Sequence, residues 1–353
     1  MDLRRTGIRA TAFAGWVVAA ACSSSVDSAH AAANCGLPVA LEATALIADR
    51  RTADVRLGAA PKVGGPPLPA AQFPSDTLTG LGGLAIDQQG NSYLVTGKSQ
   101  VTVLDKDCNV LDVLNFFPQF GSVTAVDVGP AGHVFTTFLG TAGAGVAVYP
   151  PVVSPAGPTA QPSLVIERQP ITFIFLGALA FPRAARIIFA LLVTLVMIAD
   201  FADDSIQLFS FEGAGTLARA APSAITITPI RQIKGPNTRI DGPEAVWSDG
   251  QHLWVADREG AGSIKRFPIG ASGDVPPDLV LLHPVGSPHR IVFPQGLQGD
   301  PIRNELWVAD ARPSVKVYRL DTPGGDDPPL RTIGAAAGLA FPRDLALPVT
   351  PPL

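Results

Sequence analysis

The pentapeptide LeuTrpValAlaAsp occurs twice in this chain, at 253–257 and at 306–310. Each copy is followed within a few residues by an alternating segment that is typical of a β-strand, at 263–267 and 315–319. A hairpin that recurs along a chain indicates an architecture in which each copy packs on the next. Weaker copies bring the total to six, with their first strands near 46, 93, 134 and 197.

A second motif precedes these hairpins. LeuAlaPheProArg occurs at 179–183 and again at 339–343. The prolines of these two copies, 182 and 342, and the equivalent positions of the other repeats, near 81, 122, 243 and 294, divide the chain into six repeats. They are 41 to 61 residues apart, a spacing typical of β-propeller blades. A fourth, outer strand is predicted after each of five hairpins, at 109–116, 163–167, 229–234, 278–283 and 330–333.

The two ends of the chain indicate how the ring closes. After Phe341-Pro342 only one strand remains, whereas the region 41–68 has the later strands of a repeat without its first. Pairing these two fragments would remove both unpaired strand edges. We therefore expect an all-β, six-bladed β-propeller of four-stranded antiparallel blades, with the last blade closed by the N- and C-terminal strands, as a single monomeric domain over 36–350.

Composition agrees with a loop-rich globular protein. Of the 353 residues, 47% are hydrophobic, 16% are charged, 35 are Gly and 34 are Pro. Such frequent Gly and Pro exclude a coiled coil, and the apolar content excludes a disordered chain. The net charge of -4 provides no basic surface for nucleic acid.

The N-terminus has the features of an export signal. Three arginines lie within the first nine residues, and the apolar run 10–21 is too short to span a membrane. Residues 1–22 resemble a bacterial lipoprotein signal ending at Cys22, which would be acylated and followed by a flexible tether over 23–35. The alternative is ordinary cleavage after Ala31. We therefore predict a location in the cell envelope, anchored in the lipid bilayer, or secretion in the alternative case.

The remaining cysteines form an even pair if Cys22 carries lipid. Cys35 and Cys108 could then form a disulfide in an oxidising compartment. The alternative is two buried free thiols, because sequence does not give the distance between them.

The repeats resemble a known family. The clearest repeats resemble the NHL type of β-propeller repeat in the order of their motifs. A proline is followed, after two residues, by Leu/Val-Ala-x-Asp and Gly, and then by LeuTrpValAlaAsp and Ile-x-Val-Phe. The tails at 266–277 and 148–157 are similar to NHL-like repeats of bacterial secreted proteins and lipoproteins. One stretch departs from the pattern: 187–199 is almost entirely apolar and lacks a Gly or Asp at the first turn. We interpret it as part of two buried strands with a turn near Leu191 or Thr194, rather than as a membrane span.

Few residues have the spacing of a catalytic or metal site. His133 and His252 fall in predicted turns, and no zinc or serine-hydrolase motif is present. An aspartate recurs at the end of the AlaAsp strand in four repeats, which favours a structural role in accepting backbone N–H groups over catalysis. These residues are Asp49, Asp200, Asp257 and Asp310.

The residues that follow the proline landmarks are better functional candidates. Each would open the innermost strand of a blade, near the mouth of the central channel. Their side chains could together bind a peptide or a small anion, with arginines as donors, or they could instead pair with one another. The candidates are Arg183, Glu244, Gln295, Arg343 and Asp344.

Two functions remain open from the sequence. The first is a non-enzymatic binding or scaffold protein that needs no cofactor and binds a protein or small ligand at a propeller face. The second is an enzyme similar to six-bladed lactonases and lyases, which hold a divalent cation such as Ca²⁺ or Zn²⁺ in the channel. Glu244 matches the Gly-Pro-Glu opening of such sites, whereas Arg183 and Arg343 would repel a cation.

Overall fold

The structure of the chain is a computed structural model. The described residues belong to one compact unit, 33–353, and residues 1–32 lie outside the described part of the chain. No helix in the described part of the chain is long and apolar enough to cross a membrane. The structure describes residues 44–50, 55–61, 68–72, 82–96, 100–105, 109–115, 122–129, 132–140, 143–152, 164–168, 176–180, 193–212, 223–225, 228–258, 260, 262–335 and 338–347.

The described residues are almost entirely β-strands and connecting turns. A short 3₁₀ helix, Pro236–Thr238, precedes one of the strands. In chain order the strands are β1 (Thr44–Arg50), β2 (Val55–Pro61), β3 (Leu68–Gln72), β4 (Leu84–Ile86), β5 (Ser92–Thr96), β6 (Gln100–Leu104), β7 (Val110–Asn115), β8 (Ser122–Val128), β9 (Val134–Gly140), β10 (Gly143–Tyr149), β11 (Leu164–Arg168), β12 (Leu176–Ala180), β13 (Val193–Asp200), β14 (Ser205–Glu212), β15 (Ser223–Ile225), β16 (Arg231–Lys234), β17 (Pro243–Ser248), β18 (His252–Asp257), β19 (Ser263–Pro268), β20 (Leu279–Leu281), β21 (Pro294–Asp300), β22 (Glu305–Asp310), β23 (Ser314–Arg319), β24 (Arg331–Ile333) and β25 (Pro342–Ala346).

These strands form six sheets within the described part of the chain. Sheet I contains β4 to β7, sheet II β8 to β11 with β15, sheet III β12, β13, β14 and β16, sheet IV β17 to β20, sheet V β21 to β24, and sheet VI β25, β1, β2 and β3. The prediction of six equivalent four-stranded antiparallel blades is wrong. Only five sheets match it, because sheet II has five strands and its edge strand β15 runs parallel to β11.

The fifth strand of sheet II belongs to a connection that recurs. In sheet III the tail between β14 and β16 reaches back and places β15 on the edge of sheet II. In sheets IV and V the corresponding tails form single parallel bridges, Gly273 to Ile233 and Gly325 to Leu281. The tail of each of these three sheets therefore pairs with the outer strand of the sheet before it, and only the first contact is long enough to form a strand.

The innermost strands form a closed ring. β4 contacts β8, β8 contacts β12, and the contacts continue through β17, β21 and β25 back to β4. Sheet VI combines both ends of the chain, because β25 pairs antiparallel with β1, Leu46 opposite Ala346 and Ile47 opposite Leu345. Sheets arranged radially around an axis, with the first strand of each at the centre, are a β-propeller.

The alternation of side chains explains how neighbouring sheets pack. In β18, Trp254 and Ala256 face the cluster shared with Leu306 and Val308 of sheet V. Val255, between them, packs in the cluster on the other face, with Met197 of sheet III. Both faces of sheet IV are therefore buried, as side chains on alternate sides of a strand require. Trp254 and Trp307 occupy equivalent positions in their sheets and are completely buried.

The apolar run at 187–199 contributes to sheet III. Residues 181–192, including Leu191, lie outside the described residues, and Thr194 lies inside β13, where it pairs with Phe211. A turn at Thr194 is therefore wrong. β13 pairs with β12, which ends at Ala180, and Val196 to Ala199 are buried between strands.

Candidate functional site

One end of the propeller is defined by four aspartates, and we call it the aspartate rim. Asp49, Asp200, Asp257 and Asp310 each lie at or next to the end of the second strand of a sheet, and each is at most 1% exposed. A buried carboxylate needs hydrogen-bond donors. The backbone and the neighbouring third strand supply them.

Three of these carboxylates bind the segments that lead into innermost strands. Asp310 accepts the N–H groups of Val292 and Phe293 at 3.2 and 3.0 Å, immediately before β21. Asp49 accepts those of Ala340 and Phe341, immediately before β25, with the Ala340 bond at 2.8 Å. The rim residues before these two strands are therefore fixed to the sheets behind them. Asp257 accepts the N–H of Asp241 at 2.9 Å, and Asp200 that of Asp203 at 3.2 Å.

A buried donor from the third strand completes three of these sites. Lys265 forms an ion pair with Asp257, and Lys316 forms the equivalent pair with Asp310 at 2.7 Å. Both lysines are at most 5% exposed, so each charge is compensated by its aspartate. In sheet III the amide of Gln207 donates to Asp200 at 2.8 Å.

Three of the predicted mouth residues occupy one structural position. Glu244, Gln295 and Arg343 each follow a proline and lie at the bulge where the innermost strand begins to pair with the second strand. Arg183 lies outside the described residues. The innermost strand of its sheet, β12, ends at Ala180 and so precedes the proline landmark instead of following it.

Glu244 is already paired. Its carboxylate accepts a hydrogen bond from Arg258 at 2.8 Å, and only 12% of the Glu244 side chain is exposed. The Arg258 guanidinium also lies 5.5 Å from the ring centre of Phe201 and 5.8 Å from that of Phe293. Cation–π contacts at these distances are attractive, so Arg258 links the rims of sheets III, IV and V.

Gln295 and Arg343 have fewer contacts. The Gln295 Oε1 is buried and accepts no hydrogen bond from the described residues. Arg343 is half-buried and forms no ion pair with a described residue. The Gln295 Oε1 can accept, and the Arg343 guanidinium can donate, further hydrogen bonds where the innermost strands begin.

Asp344 does not extend outward with Arg343. Its Oδ2 accepts the N–H of Leu84 in β4 at 2.9 Å, and its Oδ1 accepts that of Leu345 at 2.8 Å. It therefore joins the C-terminal strand to the first strand of sheet I. The equivalent residues in sheets IV and V are Ala245 and Gly296, and a Cβ on Gly296 would lie 2.8 Å from Asp344 Oδ1.

Asp127 of β8 is a second carboxyl beside β4, and the sequence analysis missed it. Burial raises the pKa of Asp127 to about 8, and the charge of Asp344 contributes to the increase. Burial raises the pKa of Asp344 to about 7, against the effects of its two N–H donors and of Arg343. Ionised Asp344 therefore opposes the ionisation of Asp127. The available signal was an acidic residue in β8, whose other side chains are all neutral.

Two exposed aromatic residues were also missed. Phe293 is 43% exposed and Phe341 is 53% exposed, and each directly precedes the proline that opens its innermost strand. Their backbone N–H groups are bound by Asp310 and Asp49. The aspartate rim therefore presents two phenyl rings from equivalent positions of neighbouring sheets.

Neither His133 nor His252 lies at this rim, because each is at or next to the start of the second strand of its sheet. His252 Nδ1 lies 3.1 Å from Asp249 in the turn between β17 and β18, and His133 lies in the turn before β9. Cys22, Cys35 and Cys108 lie outside the described residues. Among the residues with described placement, no three His, Cys, Asp or Glu side chains are grouped so that they could hold a metal.

The fold is similar to solved β-propellers. A protein of unknown function from Bacteroides caccae superposes with a TM-score of 0.57 at 8% identity, over 86% of this chain and 98% of its own. A provisionally assigned 6-phosphogluconolactonase from Bacteroides fragilis gives 0.57 at 14% identity, over 87% and 99%. The WD40 β-propeller domain of Doa1 gives 0.52 at 12% identity, over 84% and 81%. No protein family and no curated protein sequence matches the chain. At such identities the similarity establishes the fold alone.

Proposed function

We propose that this chain is an exported, lipid-anchored β-propeller with NHL-type repeats that acts as a non-enzymatic binding or scaffold protein, with its ligand at the aspartate rim. The observation that carries this proposal is the pair of exposed phenyl rings, Phe293 and Phe341, on loops whose backbone is held by buried aspartates. Exposed aromatic side chains on a rigid support are typical of recognition surfaces. A rigid rim also loses little conformational entropy on binding.

The proposed anchor leaves this rim accessible. β1 starts at Thr44 and reaches the aspartate rim at Asp49, so the chain enters the propeller from the opposite rim. Thr44, to which the proposed tether would connect, lies at the end of β1 away from Asp49 and the aspartate rim. The lipid bilayer would be a partner through the acyl chain only, and the aspartate rim would face a protein or small ligand.

Selection from a random peptide library tests binding at the rim. The immobilised protein should enrich peptides that lose binding to the double variant Phe293→Ala/Phe341→Ala. The matched control is Ile302→Ala, which removes an exposed apolar residue from the turn at the other end of sheet V. Peptides that bind all three proteins equally, or the absence of any enriched peptide, would contradict the proposal.

Acylation is tested separately. Expression of the full chain in a bacterium fed with radiolabelled palmitate should label the wild type and not Cys22→Ala. Label that persists in Cys22→Ala, or a wild-type protein that is found unlabelled and cleaved after Ala31, would replace the anchored form by a secreted one.

A lactonase-like enzyme with a divalent cation is the second candidate. It is favoured by the fold similarity to the provisionally assigned 6-phosphogluconolactonase. The ion pair between Glu244 and Arg258 opposes it, because Glu244 would have to leave Arg258 to bind a cation. Saturable thermal stabilisation by Ca²⁺ or Zn²⁺, together with metal-dependent hydrolysis of 6-phosphogluconolactone, would favour the enzyme over the binding protein.

A further inference from the structure

We infer that the ligand of the aspartate rim is an extended acidic peptide with an apolar side chain. The surface that would bind it consists of Phe293, Arg312, Phe341 and Arg343, and we call it the Phe–Arg crescent. This inference rests on the proposed function and specifies the partner of the same site.

Two hydrogen bonds place Arg312 beside Phe293. The Ala311 N–H donates to the Phe293 carbonyl at 3.0 Å, and the Arg312 N–H donates at 3.3 Å to Asp310, which also holds Phe293. Phe293 and Arg312 are therefore neighbours on the rim of sheet V although they are far apart in sequence. Both are exposed.

The other half of the crescent comes from sheet VI. Phe341 and Arg343 flank Pro342 at the start of β25, which contacts the innermost strand β21 of sheet V. The phenyl rings thus precede adjacent strands at equivalent positions, with an arginine associated with each. A ligand that contacts all four side chains must extend across the boundary between two sheets, which suits a peptide segment.

The two arginines of the crescent form no ion pairs within the described part of the chain. Neither Arg312 nor Arg343 forms an ion pair with a residue in the described part of the chain, whereas Arg258, Arg303 and Arg319 do. The rim carboxylates do not compensate them, because Asp310 binds Lys316 and backbone N–H groups. Asp344, next to Arg343, binds the N–H groups of Leu84 and Leu345.

These two kinds of side chain select for one kind of partner. Guanidinium groups bind carboxylates in a bidentate geometry, and exposed phenyl rings bury apolar side chains. Acidic residues that flank an apolar residue in an extended chain satisfy both. A basic peptide would be repelled by Arg312 and Arg343.

Fluorescence anisotropy tests the inference. The probe is a short fluorescein-labelled peptide with a central phenylalanine and Asp and Glu on both sides, and the comparison peptide carries Lys at the acidic positions. We expect the acidic peptide to bind, with an affinity that falls as salt rises. Arg312→Glu/Arg343→Glu should weaken binding by about tenfold or more, because attraction becomes repulsion at two positions.

A matched control separates the crescent from overall charge. Arg319→Glu changes the net charge by the same amount per residue, but Arg319 lies at the far end of β23, at the opposite rim. It should leave the affinity unchanged, and melting curves should show that all variants are folded. Equal binding of the basic peptide, or equal loss in Arg319→Glu, overturns the inference.

The outcomes also distinguish the inference from the function on which it rests. If the acidic peptide fails to bind but library peptides of other composition bind and require Phe293 and Phe341, the partner class is wrong and the binding rim stands. If no peptide of any composition depends on these phenylalanines, both are wrong. Binding that requires both arginines and both phenylalanines supports both.

Discussion

Sheets V and I, which lie on either side of sheet VI in the ring, differ at one buried position. In sheet V, Asp310 at the end of β22 pairs with Lys316 of β23. In sheet I the same positions hold Thr96 and Thr102, whose hydroxyl oxygens lie 2.8 Å apart. The same backbone register therefore accepts either a buried ion pair or a pair of neutral hydroxyls.

The difference between the two sheets arises because the Asp310 carboxylate binds the backbone of a loop at the aspartate rim. Asp310 accepts the N–H groups of Val292 and Phe293, in the loop before β21, with two separate carboxylate oxygens, whereas a threonine offers a single hydroxyl oxygen. Lys316 then compensates the buried charge. Sheets that carry the aspartate thus fix their rim loop, and the exposed Phe293 belongs to such a loop.

The largest expected loss of stability follows from removing the carboxylate of the Asp310–Lys316 ion pair while Lys316 remains. Asp310→Asn leaves the buried Lys316 charge without compensation, so the free energy of unfolding should fall by about 3–5 kcal/mol. Thr96→Val in sheet I removes a neutral hydrogen bond and should cost about 1 kcal/mol. Urea denaturation of the two variants measures both. Similar losses would show that the two positions are not energetically different.

Exchange of the whole pair should have a smaller effect. Asp310→Thr/Lys316→Thr transfers the hydroxyl pair of sheet I into sheet V and removes both buried charges together. The remaining loss, about 1–3 kcal/mol, arises from the unpaired N–H groups of Val292 and Phe293. The double variant should therefore be more stable than Asp310→Asn in the same urea titration. A double variant that is less stable would mean that the carboxylate holds the rim loop more strongly than it holds the lysine.

Asp344, whose carboxylate accepts the Leu84 N–H of sheet I, predicts a pH dependence of stability. In the unfolded chain an aspartate has a pKa of about 3.9, and burial raises that of Asp344 to about 7. The folded state therefore binds more protons between these values, and stability falls as pH rises through this window, by at most about 1.4 kcal/mol per pH unit for each carboxyl.

Asp344→Asn isolates this contribution. Asn stays neutral and can still accept the Leu84 N–H, so the loss of stability between about pH 4 and pH 7 should be reduced relative to wild type. Asp321→Asn is the control, because Asp321 lies on the surface and Arg319 holds its pKa below the usual range. An unchanged pH profile in Asp344→Asn would show that this carboxyl does not take up a proton on folding.

The smallest loss of stability is expected from a change in the connection between the third and fourth strands, which differs between sheets I and IV. Sheet I joins β6 to β7 through a short turn, in which Asp105 Oδ1 accepts the N–H of Asn109 at 2.7 Å, whereas the tail of sheet IV bridges to sheet III through Gly273. Gly273 has φ of 75°, which disfavours any side chain, so Gly273→Ala should cost about 1 kcal/mol. Gly270→Ala, in the same tail and with open space around it, is the control and should be nearly neutral in thermal melts.

The repeated sequence motifs predicted most of the β-strands but not every pairing between strands. The predicted outer strands at 229–234 and 278–283 contain β16 and β20, and the pairing of the C-terminal strand with the N-terminal strands is confirmed. The parallel strand β15 was not predictable, because Ser223–Ile225 shows no alternation that distinguishes it from a loop. Its conformation depends on the exposed edge of β11 in another sheet.

The candidate site was predicted only in part, for a related reason. The position after each proline located Glu244, Gln295 and Arg343 at one bulge, since that position depends on local register. The ion pair of Glu244 with Arg258, and the exposure of Phe293 and Phe341, depend on how neighbouring sheets meet. The export signal, the acylation of Cys22 and the pairing of Cys35 with Cys108 remain predictions.

The sequence by itself determined the local units of this protein: strands, turns and the recurring aspartates, all of which follow from side-chain periodicity within a few residues of one another. Apart from the pairing of the two chain ends, only the tertiary structure decided which of those units meet. Asp344 reaches Leu84 across almost the whole chain, and the crescent joins side chains of two sheets. Contacts of this kind depend on the closure of the ring, and no local pattern in a single sequence records that geometry.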